Sequence, residues 1–370
     1  MEKEGDPRRV VIVGAGLIGT SIALAMRERG AEVLLADHDE VALRLAVEIG
    51  AGSALPEDGP DEPADIAVLA VPVAALGATL RAAQKRGLAH VYTDVASVKT
   101  RPVLDAMELG CDLRGFVPGH PLAGRERSGP AAARADLFLG RPWALCPTPA
   151  TAPEALGAVR ALARACGAEP LITEATEHDR AVALVSHAPH VVSAAMAARL
   201  GEADDVALAL AGQGVRDVTR IAAGDPDLWT GILGANPEPV ADVLEAVATD
   251  LAVTASVLRA GADAGQAGAE AAAGLLDDLL RRGNTGRARI PGKHGARASS
   301  YAVVSVVVPD RPGELALLFQ AAGVAGVNIE DATIEHSPGL PVGVLELSVK
   351  PEAAEGLADE LRARGWSVPR

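Results

Sequence analysis

The sequence predicts three structural parts: a doubly wound α/β sheet, an all-helical domain and a small α+β unit. Short apolar runs alternate with amphipathic stretches up to about residue 173, strand-like runs then disappear, and they return after residue 300. This alternation is typical of a parallel sheet covered by helices, whereas its loss in an Ala- and Leu-rich segment indicates helices alone. We therefore place the parts at 1–173, 174–282 and 300–370, with a glycine-rich, basic linker at 283–299.

The first part has the strand and helix order of a βαβ sheet. Its predicted buried strands are the apolar runs Val10–Val13, Val33–Ala36, Ile66–Ala70 and Val91–Asp94. Amphipathic stretches such as Leu17–Arg29 and Val41–Ile49 separate them and predict the covering helices. Ligands of such sheets bind at the carboxyl ends of the strands, so we look for functional residues there.

The other two parts differ in the period of their apolar residues. The helical pattern from Glu174 to Arg282 is interrupted near Gly212–Gly214 and at Pro237, which predicts several helices. From Tyr301 the order becomes strand, helix, strand, strand, helix, with the last helix over Pro351–Arg364. The C-terminal part is therefore predicted to be a separate βαββα unit.

Composition limits the kind of protein. Apolar residues make up 49% of the chain and the net charge is −15, so we expect a globular protein that binds neither nucleic acid nor a membrane. Cys111, Cys146 and Cys166 lack metal or redox spacing, so we predict reduced thiols and no metal. No signal sequence is visible, and the uncharged run Ile66–Leu80 is shorter than the ~20 residues of a membrane span. We expect a soluble, cytoplasmic protein.

A glycine-rich turn directly follows the first predicted strand. Gly14 permits a tight turn, Gly16 lets the backbone approach a pyrophosphate, and Gly19 lets the next helix pack on the strand. Leu17 and Ile18 lie between them at the start of that helix, whose free N–H groups favour phosphate. Such a turn by itself is also compatible with a βαβ unit that binds no nucleotide.

Asp37 ends the second predicted strand, 23 residues after Gly14. A carboxylate there accepts hydrogen bonds from a ribose diol and repels a 2′-phosphate. The glycine turn and Asp37 together predict that the cofactor is NAD rather than NADP.

Two polar clusters follow predicted strands of the first part. Ser97 lies just after Val91–Asp94, where it is placed to hydrogen-bond substrate or nicotinamide, to cap a helix, or to do both. His120 stands between Gly119 and Pro121 with Glu126 nearby, and an imidazole is suited to accept a proton from a substrate hydroxyl. A purely structural histidine is the alternative.

Two more clusters lie in the helical part. Asp179, Ala183, Ser186 and His190 are spaced so that they share one helical face, whereas His187 is predicted to point elsewhere. Asp217 and Arg220 are neighbours three residues apart, and Arg220 offers a planar fork for a carboxylate. The alternatives are a satisfied pair of buried histidines and a surface ion pair.

In their order along the chain these motifs resemble the prephenate dehydrogenase family. They are GAGLIG, DVASVK, GHPLAGRERSG, HDRAVALVSHAPH, RDVTRIA and DPDLW, followed by a unit that resembles an ACT domain. The resemblance implies a Rossmann domain, an all-helical dimerisation domain, a homodimer and a C-terminal ACT-like domain. It implies oxidative decarboxylation of prephenate to 4-hydroxyphenylpyruvate with NAD⁺, in tyrosine biosynthesis.

The resemblance also implies roles for individual residues. His120 matches the histidine that binds the ring hydroxyl, and Ser97 a serine beside the same hydroxyl. The residues that match substrate-binding positions are Ser186, His190, Arg220, Asp217 and Glu126. In the ACT-like unit the matching effector positions are Asp310, Gly313, Asn328 and Ile329, with tyrosine as the expected feedback inhibitor. A unit kept only for assembly is the alternative there.

Three positions depart from the family pattern, and other functions stay open. Gln213 and Val215 stand where glycine and an aromatic residue are common, and Ala188 replaces a common leucine. These changes affect the predicted pocket shape, so arogenate is the alternative substrate. A non-catalytic NAD and amino-acid sensor would not need His120, Ser97 and Arg220. A reductase of imines or β-hydroxy acids would need a lysine at a helical position where none is found.

Overall fold

The structure is a computed structural model that describes residues 5–123, 128–263, 265–290, 301–336 and 341–369. It divides into two compact units, Met1–Ala248 and Thr249–Arg370, which are described separately. The predicted boundary at residue 173 therefore lies inside the first unit. The reason is that helices after this boundary pack on the sheet domain, as the candidate active site shows.

The first unit is built on a six-stranded parallel sheet. Its strands are β1 (Arg9–Val13), β2 (Glu32–Ala36), β3 (Ser53–Ala54), β4 (Ala64–Leu69), β5 (Ala89–Asp94) and β6 (Phe116–Val117). Their spatial order is β3-β2-β1-β4-β5-β6, and every neighbouring pair is parallel. The order reverses between β1 and β4, which opens a ligand crevice at their carboxyl ends.

Helices cover both faces of this sheet, as a doubly wound fold requires. They are α1 (Leu17–Glu28), α2 (Glu40–Glu48), α3 (Val73–Lys85), α4 (Thr100–Glu108) and α5 (Pro153–Ala165). One apolar core packs residues of α1, α2 and α5 against the sheet, and the other packs residues of α3 and α4. The predicted Rossmann-type architecture is confirmed.

A second, smaller sheet follows, which the sequence analysis did not predict. It comprises β7 (Gly119–Pro121), β8 (Pro142–Leu145) and β9 (Glu169–Ile172). β8 lies in the middle, antiparallel to β7 and parallel to β9. Three-residue and four-residue strands carry too little periodicity to be recognised, yet β7 is the strand that carries His120.

The helical segment has the predicted breaks. Its elements are α6 (Ala175–Val182), a π-helical turn (Ala183–His187), α7 (Ala188–Leu200), α8 (Asp205–Ala209), α9 (Gln213–Thr219), a 3₁₀ turn (Arg220–Ala223), α10 (Pro226–Ala235), α11 (Pro237–Asp263) and α12 (Gly265–Arg287). Helix α12 extends five residues into the predicted linker, so residues 283–287 are helical. Ion pairs Arg281–Asp277 and Arg282–Asp278, one turn apart, support this last part of the helix.

One helical run among the described residues, Ala175–Leu200, is long and apolar enough to cross a membrane by length and composition. The run considered from the sequence, Ile66–Leu80, is shorter, and this longer one was not predicted. Such a run is weak evidence for a membrane span, because the core helix of a soluble protein meets the same criterion. Its buried His178, Asp179 and His187 take part in the hydrogen bonds described below.

The C-terminal part of the second unit has the predicted βαββα order. Its elements are β10 (Ala302–Pro309), α13 (Glu314–Val324), β11 (Asp331–His336), β12 (Val342–Val349) and α14 (Pro351–Ala363). The antiparallel sheet has the order β10-β12-β11, and apolar residues of both helices pack against it. The predicted last helix, Pro351–Arg364, ends one residue after the observed end of α14 at Ala363.

Candidate active site

The glycine turn has the geometry needed to hold a dinucleotide. Gly14 has a φ of +109°, and a Cβ there would lie 2.2 Å from the Ala70 carbonyl oxygen after β4. A Cβ on Gly19 would lie 2.0 Å from the Gly14 carbonyl oxygen, so α1 packs directly on the turn. Gly16 faces open space, since no heavy atom lies within 4 Å of its Cβ position. The residues present therefore fit a pyrophosphate at the N-terminus of α1, where Leu17 and Ile18 begin the helix.

Asp37 lies at the carboxyl end of β2, beside this turn. Its carboxylate accepts hydrogen bonds from the backbone N–H of Ala15 (2.5 Å) and of Asp39 (2.8 Å). These bonds hold the carboxylate against the glycine turn. This position agrees with the predicted contact to the adenosine ribose.

A buried ion pair joins the ends of β5 and β7. Asp94 and Lys99 are both fully buried and paired with each other, and Lys99 Nζ also donates to the Gly119 carbonyl oxygen at 2.5 Å. Burial raises the pKa of Asp94, while Lys99 and the N–H groups of Ala96 and Gly119 oppose that rise. The pair fixes the backbone position of Gly119 and hence of the next residue, His120.

Ser97 lies half-buried in the loop between Asp94 and Lys99. Helix α4 begins at Thr100 and Lys99 occupies its N-cap position, so Ser97 does not cap this helix. The capping alternative for Ser97 is therefore wrong.

His120 belongs to a chain of buried hydrogen bonds. Its Nδ1 lies 2.9 Å from Nε2 of His178, whose Nδ1 lies 2.8 Å from the Asp179 carboxylate. A carboxylate only accepts, so His178 carries a proton on Nδ1, and in the neutral ring its Nε2 accepts from His120. The remaining nitrogen of His120, Nε2, then has a lone pair that can accept a proton.

Burial and nearby positive charge keep His120 neutral. Burial lowers the pKa of His120 well below its ordinary value, and the charge on Lys99 lowers it further. Asp179 acts in the opposite direction but does not offset these effects. The imidazole is therefore in the form of a proton acceptor at neutral pH.

Asp179 also connects the helical segment to the sheet domain. Its two carboxylate oxygens accept from the backbone N–H groups of Lys99 and Thr100, both at 2.8 Å. N–H groups at the start of a helix such as α4 have no partner within the helix, so the Asp179 carboxylate satisfies these two. A negative charge is also favourable at this end of a helix. Burial raises the pKa of Asp179, but bonds from His178, Thr100 and Lys99 outweigh it and lower that pKa below its ordinary value.

The π-helical turn Ala183–His187 determines whether His187 is buried or exposed. The N–H of Ala188 bonds to the Ala183 carbonyl, five residues back, and Pro189 lacks an N–H for the regular pattern. The wider turn brings His187 to 1% exposure and leaves Ser186 half-buried. The prediction that His187 points away from the site is therefore wrong.

His190 is buried and its ring stacks on an aromatic side chain. It stacks on Trp229 of α10 with ring centroids 3.6 Å apart and planes 8° apart. A Cβ on Gly224 would lie 2.7 Å from His190 Cε1, so the turn after Arg220 packs closely on this pair. Ser186 and His190 thus lie on one helical run, close to the turn that carries Arg220.

Asp217 and Arg220 lie on the exposed side of the helical segment. Asp217 ends up on α9 and accepts from Gln213 Nε2 at 2.8 Å, while Arg220 begins the 3₁₀ turn. Both side chains are exposed. Glu126, the remaining predicted substrate-binding residue, lies outside the described residues.

The predicted effector residues lie at the loops of the C-terminal unit. Gly313 precedes α13 with a φ of +91°, and the exposed Asp310 bonds through its backbone N–H to Pro341. Asn328 Nδ2 donates to Glu330 at 2.7 Å. Ile329 packs against the apolar core, so part of its side chain is used for packing.

Four residues that shape the site were not among those predicted from the sequence. They are Lys99, His178, Trp229 and Asn236, of which Lys99, His178 and Asn236 are buried. A lysine in an apolar loop after a strand, and a histidine directly before an aspartate, were the available signals. Within the described residues no group of three or more His, Cys, Asp or Glu could hold a metal ion.

Comparison with known proteins identifies the family. Residues 22–171 match the family description "Prephenate dehydrogenase, nucleotide-binding domain", and residues 174–265 match "Prephenate dehydrogenase, dimerization domain". The chain belongs to the prephenate dehydrogenase family. The predicted family, the class of NAD-dependent oxidoreductase and the NAD cofactor are thereby confirmed. The matched residues end at 265, so the ACT-like assignment of the C-terminal unit stays a prediction.

Relatives and solved structures agree with this assignment. "Probable prephenate dehydrogenase NovF" of Streptomyces niveus is 44% identical over 97% of this chain and 99% of its own length. The structure of the Aquifex aeolicus enzyme with hydroxyphenyl propionate and NAD⁺ has a TM-score of 0.64 and 26% identity, covering 76% of this chain and 100% of that one. Synechocystis arogenate dehydrogenase has a TM-score of 0.62 and 29% identity, covering 75% and 98%.

Proposed function

We propose that this chain converts prephenate to 4-hydroxyphenylpyruvate and CO₂ with NAD⁺, as a step of tyrosine biosynthesis. The observation that carries the proposal is the neutral His120, whose ring is oriented by His178 and Asp179 beside the carboxyl edge of the dinucleotide-binding sheet. A relative of nearly the same length carries the name of this activity.

In the proposed reaction His120 is the proton acceptor. NAD⁺, when bound, takes the hydride from the ring carbon that bears the hydroxyl. His120 Nε2 accepts the hydroxyl proton as that carbon becomes a carbonyl. The bond to the ring carboxylate then breaks, CO₂ leaves, and its electron pair aromatises the ring. His120 returns the proton to the phenol oxygen, so no net proton is consumed.

The other predicted residues bind and orient the substrate. We assign Ser97 a hydrogen bond to the same hydroxyl, because it lies in the loop that the Asp94–Lys99 pair holds next to Gly119. Ser186 and His190 line the helical side of the pocket. Arg220, with Asp217 three residues before it, supplies the positive fork for a substrate carboxylate. For Glu126 we propose, from the resemblance to the family alone, a place near the pocket mouth.

Prephenate rather than arogenate is the substrate that we propose. Arogenate carries an ammonium group in place of the keto oxygen, and a Synechocystis arogenate dehydrogenase has a similar structure. The departures at Gln213, Val215 and Ala188 fall in the segment that forms the pocket. We therefore keep arogenate as the second candidate.

The test is to mix the purified chain with NAD⁺ and prephenate and to follow NADH formation. We expect NADH and 4-hydroxyphenylpyruvate in equal amounts, and a larger kcat/KM for prephenate than for arogenate. A larger kcat/KM for arogenate would reverse the substrate assignment. Absence of NADH with both substrates would refute the proposed function.

We further propose a homodimer in the cytoplasm. A match to a dimerization domain and the exposed apolar side chains of α8 and α9, such as Val206, Leu208 and Val218, support self-association. Burial raises the pKa of Cys146 and Cys166 to about 12, which suits unreactive thiols in a reducing compartment. Light scattering of the purified chain tests the dimer, and localisation of a tagged chain tests the compartment.

The last part of the proposal is feedback inhibition by tyrosine through the C-terminal unit. It is supported by the βαββα fold and by the loops that carry Asp310, Gly313 and Asn328. Tyrosine should then lower the rate or raise the melting temperature of the full-length chain. If it changes neither, the regulatory role is refuted and the unit serves assembly.

A further inference from the structure

We propose that His187 is an additional substrate-binding residue that donates its Nε2–H to a substrate oxygen, and that Asn236 is the positioning residue that fixes this tautomer. The inference rests on the proposed function, because the oxygen belongs to the substrate of that reaction. It assigns to the pocket a neutral donor beside the acceptor His120.

His187 shares the buried site with the other histidines. It closes the π-helical turn, and its ring meets the edge of Trp229 with centroids 6.2 Å apart. Trp229 also stacks on His190. Asn236 links His187 to the hydrogen-bonded chain of His120, because its Nδ2 lies within hydrogen-bonding distance of both His187 Nδ1 and the Asp179 carbonyl oxygen.

Hydrogen bonding determines how the Asn236 amide is oriented. Asn236 is 2% exposed, and its Nδ2 lies 2.8 Å from the Asp179 carbonyl oxygen. A carbonyl only accepts, so the NH₂ group rather than the amide oxygen must face it. The same Nδ2 lies 3.3 Å from Nδ1 of His187.

The second N–H of Asn236 therefore determines the tautomer of His187. It donates to His187 Nδ1, which must then carry the lone pair. In a neutral imidazole the proton lies on the other nitrogen, Nε2. Burial lowers the pKa of His187 to about 4, so at neutral pH the ring has only this one proton.

Two substitutions at His187 distinguish the loss of the Nε2–H donor from the loss of the imidazole ring itself. The amide nitrogen of glutamine takes the place of Nε2, whereas that of asparagine takes the place of Nδ1. We expect H187N to raise KM for prephenate about fivefold to tenfold with kcat nearly unchanged, as for the loss of one neutral hydrogen bond present in both ground and transition states. H187Q should keep KM within about twofold of the unsubstituted chain.

Spectroscopy tests the tautomer without reference to activity. In the ¹⁵N-histidine NMR spectrum of the full chain, the signals that disappear in H187Q identify His187, and we expect its proton on Nε2. An N236D carboxylate can only accept, so it should draw the proton to Nδ1 and raise KM as H187N does. The melting temperature of each variant shows whether it is folded. Binding of 3-(4-hydroxyphenyl)propionate in the presence of NAD⁺ measures the affinity of the pocket directly.

Two results would overturn the inference. One is a proton on Nδ1 of His187 in the unsubstituted chain. The other is an equal loss of affinity in H187N and H187Q while both remain folded. Failure of the proposed function is distinguishable from both, because it would appear as an unsubstituted chain that produces no NADH from prephenate.

Discussion

The two sides of the proposed pocket are built in opposite ways. The histidine wall, which consists of His120, His178, His187 and His190, is held by buried hydrogen bonds and ring contacts. The arginine wall, which consists of Asp217 and Arg220, lies on exposed short helical turns. Gly224 packs against His190 and Trp229, so the two walls adjoin.

The difference follows from what each wall has to do. Proton transfer depends on which ring nitrogen carries the proton, and only a dry, fully bonded environment fixes that. A guanidinium is always protonated and offers five donors in a rigid fork, so it needs no such environment to bind a carboxylate. The two walls should therefore respond differently to substitution and to pH.

The largest effect should come from His120. We expect H120N to lower kcat about a thousandfold, because it removes the proton acceptor, while NAD⁺ affinity stays the same. Steady-state kinetics and NAD⁺ titration measure the two quantities. H90N, a change at an exposed histidine of β5, is the matched control. Near-normal turnover in H120N would remove this residue from its role.

Acid should destabilise the histidine wall. The pKa of His187 is about 4 in the folded chain and about 6.5 in the unfolded chain, so only the unfolded state takes up this proton between those values. The free energy of unfolding should therefore decrease as the pH is lowered from about 6.5. The protonation of His187 in the unfolded chain accounts for up to about 3 kcal/mol of this decrease by pH 4.

Urea unfolding of the unsubstituted chain and H187Q at each pH isolates this contribution. The difference between the two free energies should shrink as the pH falls from 6.5 to 4. A constant difference would contradict a native His187 that stays neutral. R220Q retains His187, so the free-energy difference between the unsubstituted chain and R220Q should stay constant over the same pH range.

Asp179 should affect catalysis through His178. We expect D179N to lower kcat about a hundredfold, because an amide can present a donor to His178 and so upset the tautomers of His178 and His120. The pH profile of kcat should shift as well, which a purely structural loss would not cause. E177Q, an exposed site on the same helix, is the control. Equal kcat in D179N and E177Q would show that the hydrogen-bonded chain does not serve catalysis.

The smallest effect should come from the arginine wall. We expect R220Q to raise KM for prephenate about thirtyfold, as for one lost charge-assisted hydrogen bond to a carboxylate, with stability nearly unchanged. R216Q, on the same exposed segment, should leave KM unaltered. If R220Q instead destabilises the chain as much as changes in the histidine wall do, the contrast between the two walls is wrong.

Local patterns in the sequence were enough for the fold class and much of the site. The alternation of apolar runs placed β1, β2, β4 and β5 and the βαββα unit close to their observed positions. The glycine turn and Asp37 predicted the NAD site, since both depend on backbone geometry within a few residues. His120 was singled out because a histidine between glycine and proline after a strand is chemically conspicuous.

The hydrogen bonds that connect the residues of the site became visible only in the tertiary structure. Asp179 reaches His178 beside it in sequence but also the start of α4, 79 and 80 positions away, and no sequence period records such a contact. The π-helical turn rotates His187 inward, contrary to the regular helical spacing that the prediction assumed. Asn236 lies 49 residues from His187, so their bond too is visible only in the folded chain.

Residue type and short-range spacing were thus enough to predict the βαβ sheet, the cofactor and the histidine that we propose as proton acceptor. The tertiary structure alone decided the protonation and direction of each histidine. These depend on burial and on single hydrogen bonds between distant segments, such as those of Asp179 and Asn236.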